Sequence, residues 1–202
     1  MLESFAGSVI RRWIADKIIP ENKAAIYQYG LVVGLQTMLE FLLIVATSLF
    51  LGLFYPCVIM TCVFIPIRIY GGGFHASTAL RCSVATWLMH VVAFLYVKYV
   101  PACWEVQAGI LFVSLILILW KAPVEAENKP LTPAERIKYR KKTIIFWLII
   151  FGIYAILTLT GCPDTAHYET VGLGMFVFVM AAGILKNYMM EVKKNEISGS
   201  DL

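Results

Sequence analysis

Residues 29–51 read YGLVVGLQTMLEFLLIVATSLFL, and Glu40 is the one charged residue in this stretch. A helix of about 20 predominantly apolar residues crosses the hydrocarbon core of a bilayer, so the stretch is typical of a transmembrane helix. The whole chain has the same character. Of its 202 residues, 60% are apolar and 15% are charged, whereas soluble domains have about 45–50% and about 25%. We therefore expect an all-α integral membrane protein.

Five further stretches meet the same criterion of length and apolarity. With the first they predict six transmembrane helices, at approximately 29–51, 53–69, 82–100, 103–120, 143–161 and 169–187. A chain of this length is expected to form one domain, here a single membrane domain over residues 1–202. The polar tail at 193–202 is predicted to be disordered.

Lysine and arginine are unevenly distributed among the predicted connections, and this distribution sets the orientation. Cytoplasmic connections carry an excess of these residues. If the chain crosses the membrane six times, Lys98 is the only one of the 17 basic residues that falls on the opposite side from the rest. Both termini are therefore predicted to be cytoplasmic.

Residues 4–19 precede the first span and form an amphipathic pattern that ends at Pro20. The apolar residues that recur at helical spacing are Phe5, Val9, Ile10, Trp13, Ile14 and Ile18. Such a helix lies in the membrane interface with its basic residues toward anionic headgroups, or it packs as an ordinary helix on the inner face of the bundle. Both interpretations stay open, and the first is our prediction.

Residues 68–82, between the second and third spans, read RIYGGGFHASTALRC. The consecutive residues Gly71, Gly72 and Gly73 allow backbone conformations that are closed to other residues. His75 and Cys82 follow them. A histidine activates a thiol by taking its proton or by pairing with the thiolate, so this segment is a candidate for nucleophilic chemistry.

The spacing of His75 and Cys82 limits how they could act together. On one straight helix a separation of seven residues places them about 10.5 Å apart along the axis. A shared hydrogen bond therefore requires His75 to lie in a loop or re-entrant turn folded back on the start of the third span. Arg68 and Arg81 would stabilise the thiolate. From the residues alone, a loop histidine unrelated to the cysteine is the alternative.

The segment 68–82 resembles the signature of the accessory gene regulator B (AgrB) family, bacterial membrane cysteine endopeptidases that process a quorum-sensing propeptide. That signature is matched at Arg68, Gly71, Gly72, Gly73, Phe74, His75, Ala76 and Cys82. Glycine at 71 and phenylalanine at 74 depart mildly from it. The stretch 122–131, APVEAENKPL, is similar to the family's loop before its last two spans.

The resemblance implies a cofactor-independent site at the cytoplasmic face of the bacterial cell membrane. Cys82 would attack a peptide carbonyl of an AgrD-like propeptide, release its acidic C-terminal tail and hold the remainder as a thioester. His75 would act as base and then as acid, and Arg68, Arg81 and the three glycines would shape the site. A Cys or Ser side chain of the bound peptide would next displace Cys82 and close a thiolactone or lactone ring. Family members also suggest a homodimer in the lipid bilayer, and no nucleic-acid partner is expected.

Other residues are weaker candidates for this site. Gln36 is a possible third residue that orients His75, whereas Glu40 is predicted to be structural. Ser77 lacks the Gly-x-Ser-x-Gly context of a serine nucleophile. A metal held by His75, Cys82 and His90 is not expected, because His90 lies about 12 Å further along the helix than Cys82.

The basic run that contains Lys138, Arg140 and Lys141 has two interpretations. It is the positive-inside signal, and it is a possible docking site for the acidic tail of the propeptide. The alternative to a peptidase is a small six-span transporter or exporter subunit. Against that alternative, the sequence has no ATP-binding motif and no matching pair of Gly/Pro-broken spans in its two halves.

Overall fold

The computed structural model of the protein describes residues 2–74, 76, 78–125 and 131–200. Within these residues it is helical and has no β-strand. Its elements are α1 (Leu2–Ala15), a 3-10 turn (Glu21–Lys23), α2 (Ala24–Phe50), α3 (Phe54–Gly71), α4 (Ala79–Tyr99), α5 (Trp104–Lys121), α6 (Pro133–Leu159) and α7 (Pro163–Ser200). Helices α2 to α7 are long and apolar enough to cross a membrane. The prediction of an all-α fold with six such helices is confirmed.

Helix α6 begins well before the predicted span at 143, because a capping box sets its start. The Thr132 hydroxyl accepts a hydrogen bond from the Glu135 N–H at 3.3 Å, and the Glu135 carboxylate accepts one from the Thr132 N–H at 2.9 Å. Pro133 occupies the first helical position, where its missing N–H costs nothing. The basic run at 136–142 is therefore helical.

Helix α7 is also longer than the predicted span at 169–187. It starts at Pro163 and continues to Ser200. The tail, which was predicted to be disordered from residue 193, is thus described as helix up to residue 200, and Asp201 and Leu202 lie outside the described residues.

The chain separates into two compact units, one formed by Met1–Thr47 and Ala76–His90 and the other by Ser48–His75 and Val91–Leu202. In the larger unit α7 packs against α3, α5 and α6. A side chain on Gly172 would come within 2.7 Å of the Met60 carbonyl oxygen, so α3 and α7 touch through their backbones. Small residues permit such close helix packing in membranes. The core of this unit includes Met60, Ile67, Ile118, Leu173, Phe176 and Met180.

In the smaller unit, α1 ends earlier than the predicted segment at 4–19. Lys17 adopts a left-handed φ of 58°. The Ile18 N–H bonds to the Trp13 carbonyl at 2.8 Å and the Lys17 N–H to the Ile14 carbonyl at 3.0 Å. This pair of bonds is a Schellman cap, here with lysine at the position that usually holds glycine. The helix thus stops at Ala15 without help from Pro20.

Candidate active site

The glycine triplet makes the turn that ends α3. Gly72 has φ 72° and ψ −150°, and Gly73 has φ 132°. Residues with a Cβ rarely adopt these φ values. The Gly72 N–H bonds to the Arg68 carbonyl at 3.0 Å and so closes the last turn of the helix. Gly72 and Gly73 thus adopt conformations that are closed to most residues, whereas Gly71 is the last residue of α3.

The turn places the triplet beside residue 124 of the loop between α5 and α6. The Val124 N–H donates to the Gly71 carbonyl at 2.9 Å, and the Gly73 N–H donates to the Val124 carbonyl at 3.2 Å. Gly72 and Val124 thereby form an isolated parallel bridge. A Cβ on Gly72 would lie 2.1 Å from the Val124 carbonyl oxygen. The two stretches that resemble the family, 68–82 and 122–131, thus contact each other at these residues.

The triplet and Phe74 also lie directly on α7. The Phe74 N–H donates to the Val179 carbonyl at 2.8 Å. A Cβ on Gly183 would lie 2.6 Å from the Gly73 carbonyl carbon and 2.7 Å from the Phe74 nitrogen. We call residues 71–74, Val124, Val179 and Gly183 the glycine junction. It is held by contacts between main chains that leave no volume for a methyl group.

Arg68 and Lys186 complete the surroundings of Phe74. Arg68 Nη2 donates to the Phe74 carbonyl at 2.9 Å, and its guanidinium lies 5.7 Å from the centre of the Phe64 ring. The Lys186 ammonium lies 5.5 Å from the centre of the Phe74 ring. Phe74 is therefore held through its N–H, its carbonyl and its ring. The structure brings together Arg68 and the three glycines, all predicted to shape the site.

A second set of contacts, which sequence reasoning missed, fixes the loop that carries Val124. Arg136 Nη2 lies 2.6 Å from Glu125 Oε1. Asn187 Nδ2 on α7 donates to the Glu125 carbonyl at 3.0 Å. We call Glu125, Arg136 and Asn187 the loop clasp. Glu125 stands in the quoted loop 122–131, but nothing in the sequence pairs it with an asparagine 62 residues later.

Cys82 lies in the first turn of α4, in the smaller unit. The Thr78 hydroxyl caps this helix by accepting a hydrogen bond from the Arg81 N–H at 3.3 Å, and the Cys82 N–H bonds to the Thr78 carbonyl at 3.1 Å. The Cys82 side chain is half-buried and carries no disulfide, and Arg81 is exposed. The first turn of a helix favours negative charge. His75 and Ser77 lie outside the described residues.

The remaining candidates fall in different places. Gln36 and Glu40 are half-buried on α2. His90 is buried in α4, with its Nδ1 at 2.8 Å from the Thr86 carbonyl oxygen. Among residues 2–74, 76, 78–125 and 131–200 there is no cluster of three or more His, Cys, Asp or Glu side chains that could hold a metal ion.

The three basic residues proposed for docking are all exposed on α6, but they differ in their contacts. Arg140 Nη2 donates a hydrogen bond to the Leu119 carbonyl near the end of α5. That bond caps a carbonyl at a helix C-terminus, where a positive charge is stabilising. Arg140 therefore has a structural task of its own. Lys138 and Lys141 project from the same exposed helix.

Comparison with known proteins identifies relatives of this chain. A family model described as Accessory gene regulator B matches residues 6–192. An AgrB-like protein of Listeria monocytogenes serotype 4a and one of Listeria innocua serovar 6a are each 30% identical over 132 residues, which are 64% of this chain and 64% of each relative. Accessory gene regulator protein B of Staphylococcus intermedius is 24% identical over 114 residues, 54% of this chain and 58% of that protein.

The chain thus spans somewhat less than two thirds of the length of these curated relatives. No solved structure matches it.

Proposed function

This chain belongs to the accessory gene regulator B family, and from that premise we propose that it is a membrane cysteine endopeptidase that processes a quorum-sensing propeptide. The observation that carries the proposal is the segment 68–82, in which His75 and Cys82 follow the glycine triplet within the residues that the family model matches. The fold adds six helices able to cross a membrane.

In the first step His75 accepts the proton of the Cys82 thiol. The thiolate attacks the carbonyl carbon of the scissile peptide bond and forms a C–S bond and an oxyanion. When the oxyanion collapses, the C–N bond breaks, and the leaving amine takes the proton from the His75 imidazolium. The acidic C-terminal tail departs, and the rest of the propeptide stays on Cys82 as a thioester.

In the second step a Cys or Ser side chain of the bound peptide attacks the thioester carbonyl. His75 accepts the proton of that thiol or hydroxyl, and Cys82 leaves as the thiolate. The product is a thiolactone or a lactone ring. Attack by water would give a linear peptide instead, so exclusion of water from the acyl-enzyme favours cyclisation.

The glycine junction supports a defined place for the base. Phe74, which precedes His75 in the chain, is held through its N–H by Val179 and through its carbonyl by Arg68. A catalytic group gains rate when its geometry is fixed before the substrate reacts. We therefore assign Arg68, Gly71, Gly72 and Gly73 as residues that shape the site.

The partners follow from the same proposal. The substrate is an AgrD-like propeptide with an acidic tail, and Lys138 and Lys141 are exposed cations that could attract that tail. The uneven distribution of basic residues supports a site at the cytoplasmic face. Gln36 as an orienting residue and a homodimer as the working assembly are further parts of the proposal, to be tested separately.

The test is propeptide cleavage in liposomes. The substrate is a synthetic AgrD-like peptide with an amphipathic start, a Cys or Ser core and an acidic tail. Cys82→Ala and His75→Ala are expected to abolish cleavage. Cys62→Ala, which removes a free cysteine that is exposed, is expected to cleave at the wild-type rate. Mass spectrometry of the wild type should find the acyl adduct on Cys82. Full activity of Cys82→Ala would overturn the proposal.

A further inference from the structure

We propose that one face of α7, formed by Val179, Gly183 and Asn187, positions the base His75 and thereby sets the rate of acyl-enzyme formation. Gly183 and Asn187 are positioning residues in this proposal, and they act through the main chain of residues 73–74 and 124–125. The proposal rests on the function proposed above, in which His75 takes the proton of Cys82.

The three residues are four apart, so they lie one above the other on the helix surface. Each contacts a different part of the glycine junction or the loop clasp. The Val179 carbonyl accepts the Phe74 N–H, Gly183 faces the Gly73–Phe74 peptide, and Asn187 donates to the Glu125 carbonyl. A single helical stripe thus holds both segments that resemble the family signature.

Gly183 is what allows the contact at Val179. In a helix the N–H of residue 183 points toward the carbonyl of residue 179. The Phe74 N–H reaches that same carbonyl, at 2.8 Å, only because no side chain stands between. A Cβ on Gly183 would lie 2.6 Å from the Gly73 carbonyl carbon, so an alanine there would push the main chain of 73–74 off α7.

Asn187 acts on the same segment through the loop that carries Val124 and Glu125. By holding the Glu125 carbonyl at 3.0 Å it ties the loop to α7, and the ion pair of Glu125 with Arg136 at 2.6 Å ties the loop to α6. Val124, directly before Glu125, makes both hydrogen bonds of the bridge to the triplet. The register of the triplet therefore depends on the loop clasp.

Phe74 and His75 share a peptide bond, so the contacts that hold Phe74 are expected to affect catalysis. With the N–H, the carbonyl and the ring of Phe74 each held, a displacement of the segment is passed to the next residue. A misplacement of about 1 Å of a catalytic group costs about 100-fold in rate. The cost falls on the chemical step and leaves propeptide binding largely intact.

The experiment compares two glycine-to-alanine variants of α7 in proteoliposomes. At Gly183 the new Cβ would enter the junction, whereas at Gly174 it would meet Ile110 Cδ1 at 3.5 Å, an ordinary contact. Gly183→Ala is expected to slow acyl-enzyme formation at saturating propeptide about 10- to 100-fold, with KM changed less than about two-fold. Gly174→Ala is expected to stay within about two-fold of the wild type in both.

A second readout separates positioning from general damage. The rate of Cys82 alkylation by iodoacetamide is measured across pH, with the label located by mass spectrometry. If α7 positions His75, the alkylation profile of Gly183→Ala becomes that of His75→Ala, and Gly174→Ala keeps the wild-type profile. A Gly183→Ala variant with wild-type rate and profile, in the presence of an inactive His75→Ala, overturns this inference and leaves the proposed function standing.

An active His75→Ala with an unchanged profile overturns both proposals together. If Gly183→Ala fails to give a monodisperse protein in detergent, Asn187→Ala takes its place, because it removes one hydrogen bond and adds no atoms. It is expected to slow acyl-enzyme formation about 3- to 10-fold, in line with about 1 kcal/mol for one hydrogen bond, and to shift the profile in the same direction. An unchanged rate and profile for Asn187→Ala overturns the inference.

Discussion

The glycine junction and the seam between α5 and α6 belong to the same unit but are built from different contacts. At the junction, main chain meets main chain, and a Cβ on Gly72 would lie 2.1 Å from a carbonyl oxygen. At the seam, side chains bridge the helices: Trp147 Nε1 donates to Ser114 Oγ at 2.8 Å, and the Tyr154 hydroxyl donates to Gln107 Oε1 at 3.1 Å.

Membrane helices are thus held here in two ways, by contacts between main chains at the junction and by hydrogen bonds between side chains at the seam. The junction is sensitive to any added volume, because backbone atoms cannot move aside as the end of a flexible side chain can. The seam is sensitive to the loss of particular donors, and each such bond contributes only about 0.6 kcal/mol on average in a membrane. The junction is therefore expected to hold its parts in fixed positions, whereas the seam adds stability in small increments.

The largest effect is expected from Gly72→Ala. The substitution places a Cβ at 2.1 Å from the Val124 carbonyl oxygen and forces a residue with a side chain to φ 72°. Strain of this kind costs about 1–3 kcal/mol before the overlap is counted. Propeptide cleavage in liposomes is expected to fall at least about 100-fold.

Its matched control is Gly152→Ala on α6, where the new Cβ would meet no atom within 4 Å. The control should cleave at the wild-type rate. A Gly72→Ala protein that cleaves as fast as the control would contradict this prediction, because it would mean that the junction tolerates an added methyl group.

Gly172→Ala should produce an intermediate effect of a different kind. Here the Cβ would lie 2.7 Å from the Met60 carbonyl oxygen, so α3 and α7 must separate. Overpacking typically costs about 1–3 kcal/mol, so the unfolding temperature in detergent should fall. The clash is at Met60 and not at residues 71–74, so the folded fraction should keep its cleavage rate. A rate loss in that fraction would show that the junction depends on the whole α3–α7 contact.

A smaller effect is expected from Trp147→Phe at the seam. A smaller phenyl ring replaces the indole and the hydrogen bond to Ser114 is lost, while the Ser114 hydroxyl keeps its bond to the Leu111 carbonyl at 2.8 Å. The share of the hydrogen bond in the lost free energy of unfolding should be about 0.6 kcal/mol and no more than about 1.7. A double-mutant cycle with Ser114→Ala measures the coupling, and a value near zero would remove this bond as a contributor.

The amino-acid sequence was sufficient to predict the six long apolar helices. Apolar length alone indicated α2 to α7, since a bilayer imposes about 20 such residues on each span. This criterion missed the start of α6. Thr132 and Glu135 have the spacing of a capping box, and Pro133 stands at the first helical position. That signal could have been read.

The contacts of the glycine junction could not have been read in the same way. The triplet at 71–73 indicated an unusual backbone conformation. Gly183, in contrast, is one of 14 glycines, and no local sequence pattern distinguishes it from the others. Its contact with the main chain of residues 73–74 is seen only when α7 is placed against them, and Gly73 lies 110 residues earlier in the chain. Asn187 and Arg136 are likewise ordinary helix residues until the loop that carries Glu125 is placed between them.

The smallest effect is expected at the exposed face of α6, which has neither the tight packing of the junction nor the buried hydrogen bonds of the seam. Lys138 and Lys141 are exposed there. Replacing both with glutamine should raise KM for a propeptide with an acidic tail about three- to ten-fold at low salt, because two attractive charges are lost. Since the Debye length falls from about 30 Å at 0.01 M to about 3 Å at 1 M salt, the difference should vanish at high salt.

Arg140 is left out of this variant because its bond to the Leu119 carbonyl gives it a structural task. Lys98→Gln is the matched control, since it removes an exposed lysine that is predicted to lie on the opposite side of the membrane. Its KM should not change. A KM that rises equally in Lys98→Gln, or a rise in the double variant that persists at 1 M salt, would contradict docking of the tail on α6. The basic run would then keep only its role in setting the orientation of the helices.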